Sequence, residues 1–384
     1  MMRNLALLLV VATVAIPALA GRHVTVRQLD QELAEVKNKP DQEVVRWLSS
    51  LELTERMSTQ RLLRWKDAMP GTQSWQALTA LADSSVFLNL PSEEIPPAAP
   101  LDQNAQQQLL SLASAYVENT LSKLPNFFAT QAITTFEDTP AARDGLTSTS
   151  YQPLHYSDFM SATVLYRGGK EVMETHKGEV VEQDQTFSGA SGLLSSGEFG
   201  PVLSTVLTDG QKGKLKWSHW ETGATSPMAV FRYAVPQGKS HYKVKVILPG
   251  YSEVYQVRPA YHGEIAVDPS SGTILRLTLR ADLDPDDPMS KADLMVEYGS
   301  VEIGGQKYVC PVKSVALVMA YQQISSTSKM TGDASHGLSN PDSNRRDSPL
   351  QTLLNDVAFE HYHVLRSEAR ILTGADTEDE KNTP

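Results

Sequence analysis

From Tyr261 to Thr278 the chain reads YHGEIAVDPSSGTILRLT, and no other stretch limits the fold so tightly. Tyr261, Ile265 and Val267 alternate with His262, Glu264 and Asp268, the period of two that sends successive side chains to opposite faces of a strand. Asp268-Pro269-Ser270-Ser271-Gly272 then supplies a turn, because proline presets φ and glycine accepts positive φ. Leu275, Leu277 and Leu279 come next, in alternation with Arg276, Thr278 and Arg280. The pattern predicts a hairpin with one apolar and one polar face, and an apolar sheet face must be covered.

The same period runs through most of the chain after Asn126. Glycine turns at Arg167-Gly168-Gly169-Lys170, Ser271-Gly272 and Ile303-Gly304-Gly305-Gln306 separate alternating runs, as in an antiparallel meander. Strands are expected near residues 129–136, 161–166, 171–181, 214–220, 228–235, 242–248, 261–267, 273–281, 293–302 and 307–318, with a last one from Leu354 to Leu365. Gly197 to Pro201 leads into a helical interruption with Val202, Leu203, Val206 and Leu207.

Upstream the period is helical. Residues 21–90 read as short helices: Val26, Leu29, Leu33 and Val36 form a first stripe, with Thr25 and Gln28 placed as a capping box. Such stripes dock on the sheet, form a small bundle or present a protein-binding face. Residues 91–101, with Pro91, Pro96, Pro97 and Pro100, are expected to be an extended linker. A long helix is expected over 102–124, capped by Asp102 and closed by Pro125. The β domain should then span 125–374, with a mobile loop at 327–349 and a polar tail at 375–384.

Arg3, the apolar run Leu5 to Ile16 and Ala18-Leu19-Ala20 match a cleaved signal peptide over residues 1–20, so the expected destination is a periplasm or the outside of the cell. No other run is long and apolar enough to span a bilayer, so no membrane-spanning segment is expected after cleavage. With 34 basic against 45 acidic side chains the net charge is −11, which disfavours a nucleic-acid partner. Cys310 is the only cysteine, so no intrachain disulfide can form; in the run Tyr308-Val309-Cys310-Pro311-Val312 it reads as a small buried hydrophobe.

The segments Leu124-Pro-Asn-Phe-Phe-Ala-Thr130, Phe231-Arg-Tyr-Ala-Val-Pro236, Gly263-Glu-Ile-Ala-Val-Asp-Pro269, Val296-Glu-Tyr-Gly and Tyr308-Val-Cys-Pro-Val-Lys-Ser314 together resemble an uncharacterised family of exported bacterial proteins. More loosely, a strand ending in Val-Asp-Pro, a tight turn and an Ile-Leu-Arg-Leu strand are similar to the half-barrel of periplasmic lipoprotein-localisation carriers, over residues 161–372. That resemblance implies a curved antiparallel sheet, closed by helices, around an apolar cavity that accepts acyl chains.

Signals for chemistry are sparse. His361 and His363 have a spacing able to bind zinc, but no third ligand can be named, and solvent-facing histidines are the simpler reading. Asp282-Leu-Asp-Pro-Asp-Asp287 begins like a calcium loop, yet Asp287 stands where glycine is required, so an acidic turn is expected. Gly189-Ala-Ser-Gly192 lacks the spacing of a nucleophile elbow. Trp217 and Trp220, flanking His219, read as a ligand-stacking edge or as rim packing. No motif requires a cofactor.

The expected fold class is therefore α+β, a helical N-terminal segment followed by a large curved, half-barrel-like antiparallel sheet with one or more covering helices. Its apolar face, lined by Leu215, Trp217, Phe231, Tyr233, Tyr242, Val244, Ile265, Val267, Leu275 and Leu277, is either a ligand cavity or a closed core. The leading expectation is an exported, non-enzymatic protein that binds a lipid or other apolar small molecule. The alternatives are an envelope-assembly protein that binds partners through its N-terminal helices, and a hydrolase with an unrecognised site.

Overall fold

A computed structural model describes residues 21–121, 123–144, 147–149, 151–174, 180–181, 192–193, 198–223, 226–248, 254–321 and 349–365. The expected signal peptide, loop residues 327–348, the polar tail and Gly189 to Ser191 lie outside the described residues. Two compact units divide the chain, residues 1–95 with 136–156, and residues 96–135 with 157–384. The first unit thus takes in a segment from within the stretch expected to be one β domain.

The first unit opens with β1 (Arg22–Val24), α1 (Val26–Val36), α2 (Asp41–Leu48), β2 (Leu51–Leu53), α3 (Thr59–Leu63) and α4 (Thr72–Ser84). The capping box is formed: Gln28 N–H donates to Thr25 Oγ1 at 3.2 Å and Thr25 N–H to Gln28 Oε1 at 2.8 Å. The apolar stripes converge on one another, and Val26, Leu29, Leu33, Val44, Leu48 and Leu78 form a single buried core. The helices therefore make their own bundle. Strands β1 and β2 pair in parallel, Arg22 opposite Leu51 and Val24 opposite Leu53, an element the sequence did not announce because three residues are too few to show a period. Pro91 to Ile95 folds back on this bundle, Arg61 Nη1 lying 2.9 Å from Glu94 Oε1 and Arg61 Nε 3.1 Å from Asp30 Oδ2.

Along the chain α5 (Gln103–Leu121) is followed by β3 (Phe127–Thr139), β4 (Ala142–Asp144), β5 (Thr147–Thr149), β6 (Gln152–Arg167), β7 (Lys170–Glu174), β8 (Val180–Val181), β9 (Gly192–Leu193) and α6 (Pro201–Lys212). Then come β10 (Lys214–Thr222), β11 (Pro227–Val235), β12 (Val244–Ile247), β13 (Val254–Val257), β14 (Ala260–Val267), β15 (Ile274–Asp282), β16 (Met289–Ile303), β17 (Gln306–Tyr321) and β18 (Leu350–Val364). The fold is α+β. Its main sheet, among the described residues, has 11 strands in the order β10-β11-β14-β15-β16-β17-β18-β3-β6-β7-β8 and does not close into a barrel. Pairing is antiparallel from β10 through to β18, and again from β6 to β8.

Register aligns the apolar face in rows. One row runs Trp217, Phe231, Ile265, Leu277, Val296, Ser314 and Val357, and the next runs Leu215, Tyr233, Gly263, Leu279, Leu294, Ala316 and Asn355. Helices α5 and α6 supply Leu109, Ala113 and Val117, and Val202, Leu203, Val206 and Leu207, to the same core. The hairpin that dominates the sequence seats α5 directly. Gly272 has φ +74°, and a Cβ there would lie 2.6 Å from the backbone carbon of Leu112, so only glycine lets the turn approach the helix this closely.

Two expectations about this face need correction. Leu275 does not share it with Leu277 and Leu279: the register slips between Ala266 and Val267, Ile274 takes the inward place opposite Val267, and Leu275 is left half-buried at the bulge. The opposite face is not simply wet either, since Val230, Ala266, Met295, Val315 and Leu354 on it are buried alongside Arg276 and Asp293. Tyr242 and Val244 belong to the core, but Val244 lies in the small sheet β13-β12-β9 instead of the large one.

A second core in the same unit gathers Phe127, Tyr166, Phe199, Phe359 and Tyr362 around Cys310. Cys310 is buried there, and burial pushes its thiol up to about 12, so it stays protonated and inert.

Candidate functional site

Nine of the ten residues expected to line a cavity come together in one core. Phe231, Tyr233, Tyr242, Val244, Ile265, Val267 and Leu277 are buried in it, and Leu215 and Trp217 pack against it half-buried. One cleft in this unit has a volume of about 10 Å³, room for roughly one water, and its walls are Tyr116, Phe199, Leu203, Ile274, Tyr298 and Cys310 among others, with none of the ten. Tyr233 shows how tight the packing is: its hydroxyl donates to the Thr278 carbonyl at 2.6 Å, and a Cβ on Gly263 would sit 2.8 Å from its Oη. Burial raises the Tyr233 hydroxyl well above its ordinary value, with Tyr261 next to it adding to the shift.

Open space lies instead between α5 and α6, beside the start of β10. A groove of about 520 Å³ is lined by Leu110, Ser111, Ser114, Leu207, Gly210, Gln211, Gly213 and Leu215. Leucines form its walls, while Gln211 Nε2 donates across it to Ser114 Oγ at 3.2 Å. Gly210 faces the opening, since a Cβ there would meet nothing within 4 Å. Leu215 is the one expected site residue that reaches this groove. The others miss it because period-two patterning finds buried faces, whereas a groove between helices arises from the spacing of two elements far apart in sequence.

Strand β10 is also the edge of the large sheet. Its register slips at Ser218, and that extra residue puts Trp217, opposite Phe231, and Trp220, opposite Ala229, on the same face. Their rings meet edge to face, 5.1 Å apart at 70°. His219 and Glu221 turn to the other face. There Ser218 Oγ lies 2.8 Å from His219 Nδ1, His219 Nε2 lies 3.1 Å from Glu221 Oε1, and Arg276 donates to both Glu221 oxygens at 2.6 and 2.8 Å. This is a hydroxyl–imidazole–carboxylate chain whose carboxylate charge is already matched by a guanidinium.

The other sequence signals fall elsewhere. Asp287 closes an acidic turn, accepting from Asp284 N–H at 2.8 Å and from the Tyr255 hydroxyl at 2.7 Å. His361 is exposed with φ +52°, and the His363 ring lies 5.1 Å from Phe128. Among the described residues no group of three or more His, Cys, Asp or Glu side chains could hold a metal ion. No described helix is long and apolar enough to cross a membrane.

Fold and site define an α+β protein with an open antiparallel sheet and a helix-lined surface groove. No family model matches the chain, and no curated protein does. Among solved structures, the crystal structure of MucB in complex with MucA(peri) is similar at 12% identity, over 67% of this chain and 94% of that one, with a TM-score of 0.19.

Proposed function

We propose that this chain is an exported, non-enzymatic binding protein that holds an apolar small molecule, with lipid chains as the leading class, in the groove between α5 and α6. The observation that carries this reading is the contrast in free volume: about 520 Å³ in the groove against about 10 Å³ in the cleft beside Tyr116 and Tyr298. Small-molecule sites typically measure about 300–1,000 Å³ and combine apolar walls with a few polar groups, which fits leucine walls rimmed by Ser111, Ser114 and Gln211. Native mass spectrometry of protein purified from its own host tests it. A co-purifying apolar molecule of a few hundred daltons, released by organic solvent, is expected; protein that remains free of any such molecule and fails to take up added fatty acid contradicts it.

Partner binding through the N-terminal helices is less well supported, because their apolar stripes are used up in the first unit's own core. Hydrolysis has one feature in its favour, the Ser218–His219–Glu221 chain. Arg276 already neutralises Glu221, which weakens that carboxylate's pull on the imidazole. Ester turnover that disappears in Ser218→Ala would favour the hydrolase reading over binding.

A further inference from the structure

The proline-rich run Pro96-Pro97-Ala98-Ala99-Pro100 is exposed from Pro97 to Pro100, yet it is pinned at one point. The Trp220 indole N–H donates to the Ala99 carbonyl oxygen at 2.8 Å. Trp220 stands edge to face with Trp217, and Trp217 stands edge to face with Phe231 at 5.7 Å and 85°. The bulge at Ser218 brings the two indoles to one face of the strand, at the border of the sheet.

We infer that the Trp217–Trp220 edge is a recognition surface for proline-rich extended segments, filled in cis by residues 96–100 and able to take the same kind of segment from another polypeptide. Proline has no N–H, so a proline-rich run has few internal partners for its carbonyls. Within this run one such bond is made, Ala98 N–H to the Pro96 carbonyl at 2.8 Å. An indole donor beside a second aromatic ring supplies what the run lacks, a hydrogen bond for a carbonyl and a flat apolar wall for the pyrrolidines. Pairing of a partner strand along β10 is the less suitable mode, because Lys214 and Lys216 are exposed on this edge strand and lysines blunt such edges.

The cis segment leads within a few residues into Leu101, packed on the core, and α5. That short tether gives it an effective concentration of roughly millimolar order, so it masks the surface from outside ligands without being tightly held. The inference is independent of the α5–α6 groove, since neither tryptophan lines that groove.

The test uses the full chain and a synthetic peptide of the sequence PPAAPL. A triple variant, P96S/P97S/P100S, weakens the cis copy, and tryptophan fluorescence tracks the titration. The peptide is expected to bind the triple variant at least tenfold more tightly than the wild type. A further W220F exchange, which keeps an aromatic ring but removes the indole donor, is expected to weaken that binding at least tenfold, and a peptide with serine at every proline should not bind. Absence of binding to a folded triple variant, or equal binding of the serine peptide, overturns the inference. If the triple variant does not fold, the wild type titrated with peptide to millimolar concentration decides the matter: a shifted Trp220 indole N–H resonance supports the surface, and an unmoved one overturns it.

Discussion

Arg276 and Glu221 meet as a two-pronged pair on the buried far side of the large sheet, Nη1 to Oε2 at 2.6 Å and Nη2 to Oε1 at 2.8 Å. Both side chains are almost fully withdrawn from water. Breaking one partner of such a pair leaves the other charge buried, which costs about 3–5 kcal/mol. Glu221→Gln should therefore lower unfolding free energy by that order in urea titrations, while the paired exchange E221L/R276M should recover most of it. A loss below about 0.5 kcal/mol for the single variant, the level of an exposed pair, contradicts this account.

Asp209, near the end of α6, gathers three donors: the His241 backbone N–H at 2.8 Å, His241 Nδ1 at 2.6 Å and the Tyr261 hydroxyl at 2.9 Å. Burial acts to raise this carboxyl, but the hydrogen bonds from His241 and Tyr261 outweigh it and hold the group below its ordinary value of 3.8. A depressed folded value means that the stabilisation is fully present above the unfolded value and is lost as pH falls through the lower, folded one. Thermal midpoints should accordingly drop as pH falls below about 4, and Asp209→Asn should flatten that drop while lowering stability at neutral pH by about 1–3 kcal/mol.

The turn at Gly272 is the seat of α5. Alanine there combines a left-handed backbone with a Cβ against the Leu112–Ala113 backbone, so Gly272→Ala should destabilise by about 2–4 kcal/mol. Denaturant unfolding monitored by circular dichroism reads the change.

Ser314 stands in the row between Val296 and Val357, fully buried, and among the described residues its hydroxyl has no hydrogen-bond partner. An unpaired buried hydroxyl costs free energy, so Ser314→Ala should leave stability unchanged or raise it by up to about 1 kcal/mol. A loss of more than about 1 kcal/mol on the same scale would contradict that view.

Much of the architecture was legible because sheet patterning is local. The hairpin expected at 261–267 and 273–281 appears as Ala260–Val267 and Ile274–Asp282, and the helical interruption after Pro201 is α6. Bulges were not legible: one extra residue at Leu275 and another at Ser218 reverse the parity of the residues beyond them, and nothing in composition marks them. The first removed Leu275 from the apolar face, and the second united Trp217 with Trp220. The groove escaped the sequence for another reason. Ser114 and Gln211 are far apart in the chain and meet only because α5 and α6 dock side by side on the sheet, a tertiary relation that no local period records.

On the proposed function, a ligand occupies the surface groove and not the sheet interior. Ser114→Trp fills the groove from a half-buried position without removing any core side chain. Titration of wild type and this variant with a fluorescent fatty acid decides the matter: saturable binding to the wild type and binding at least tenfold weaker to the variant are expected. Equal binding by both proteins would contradict it.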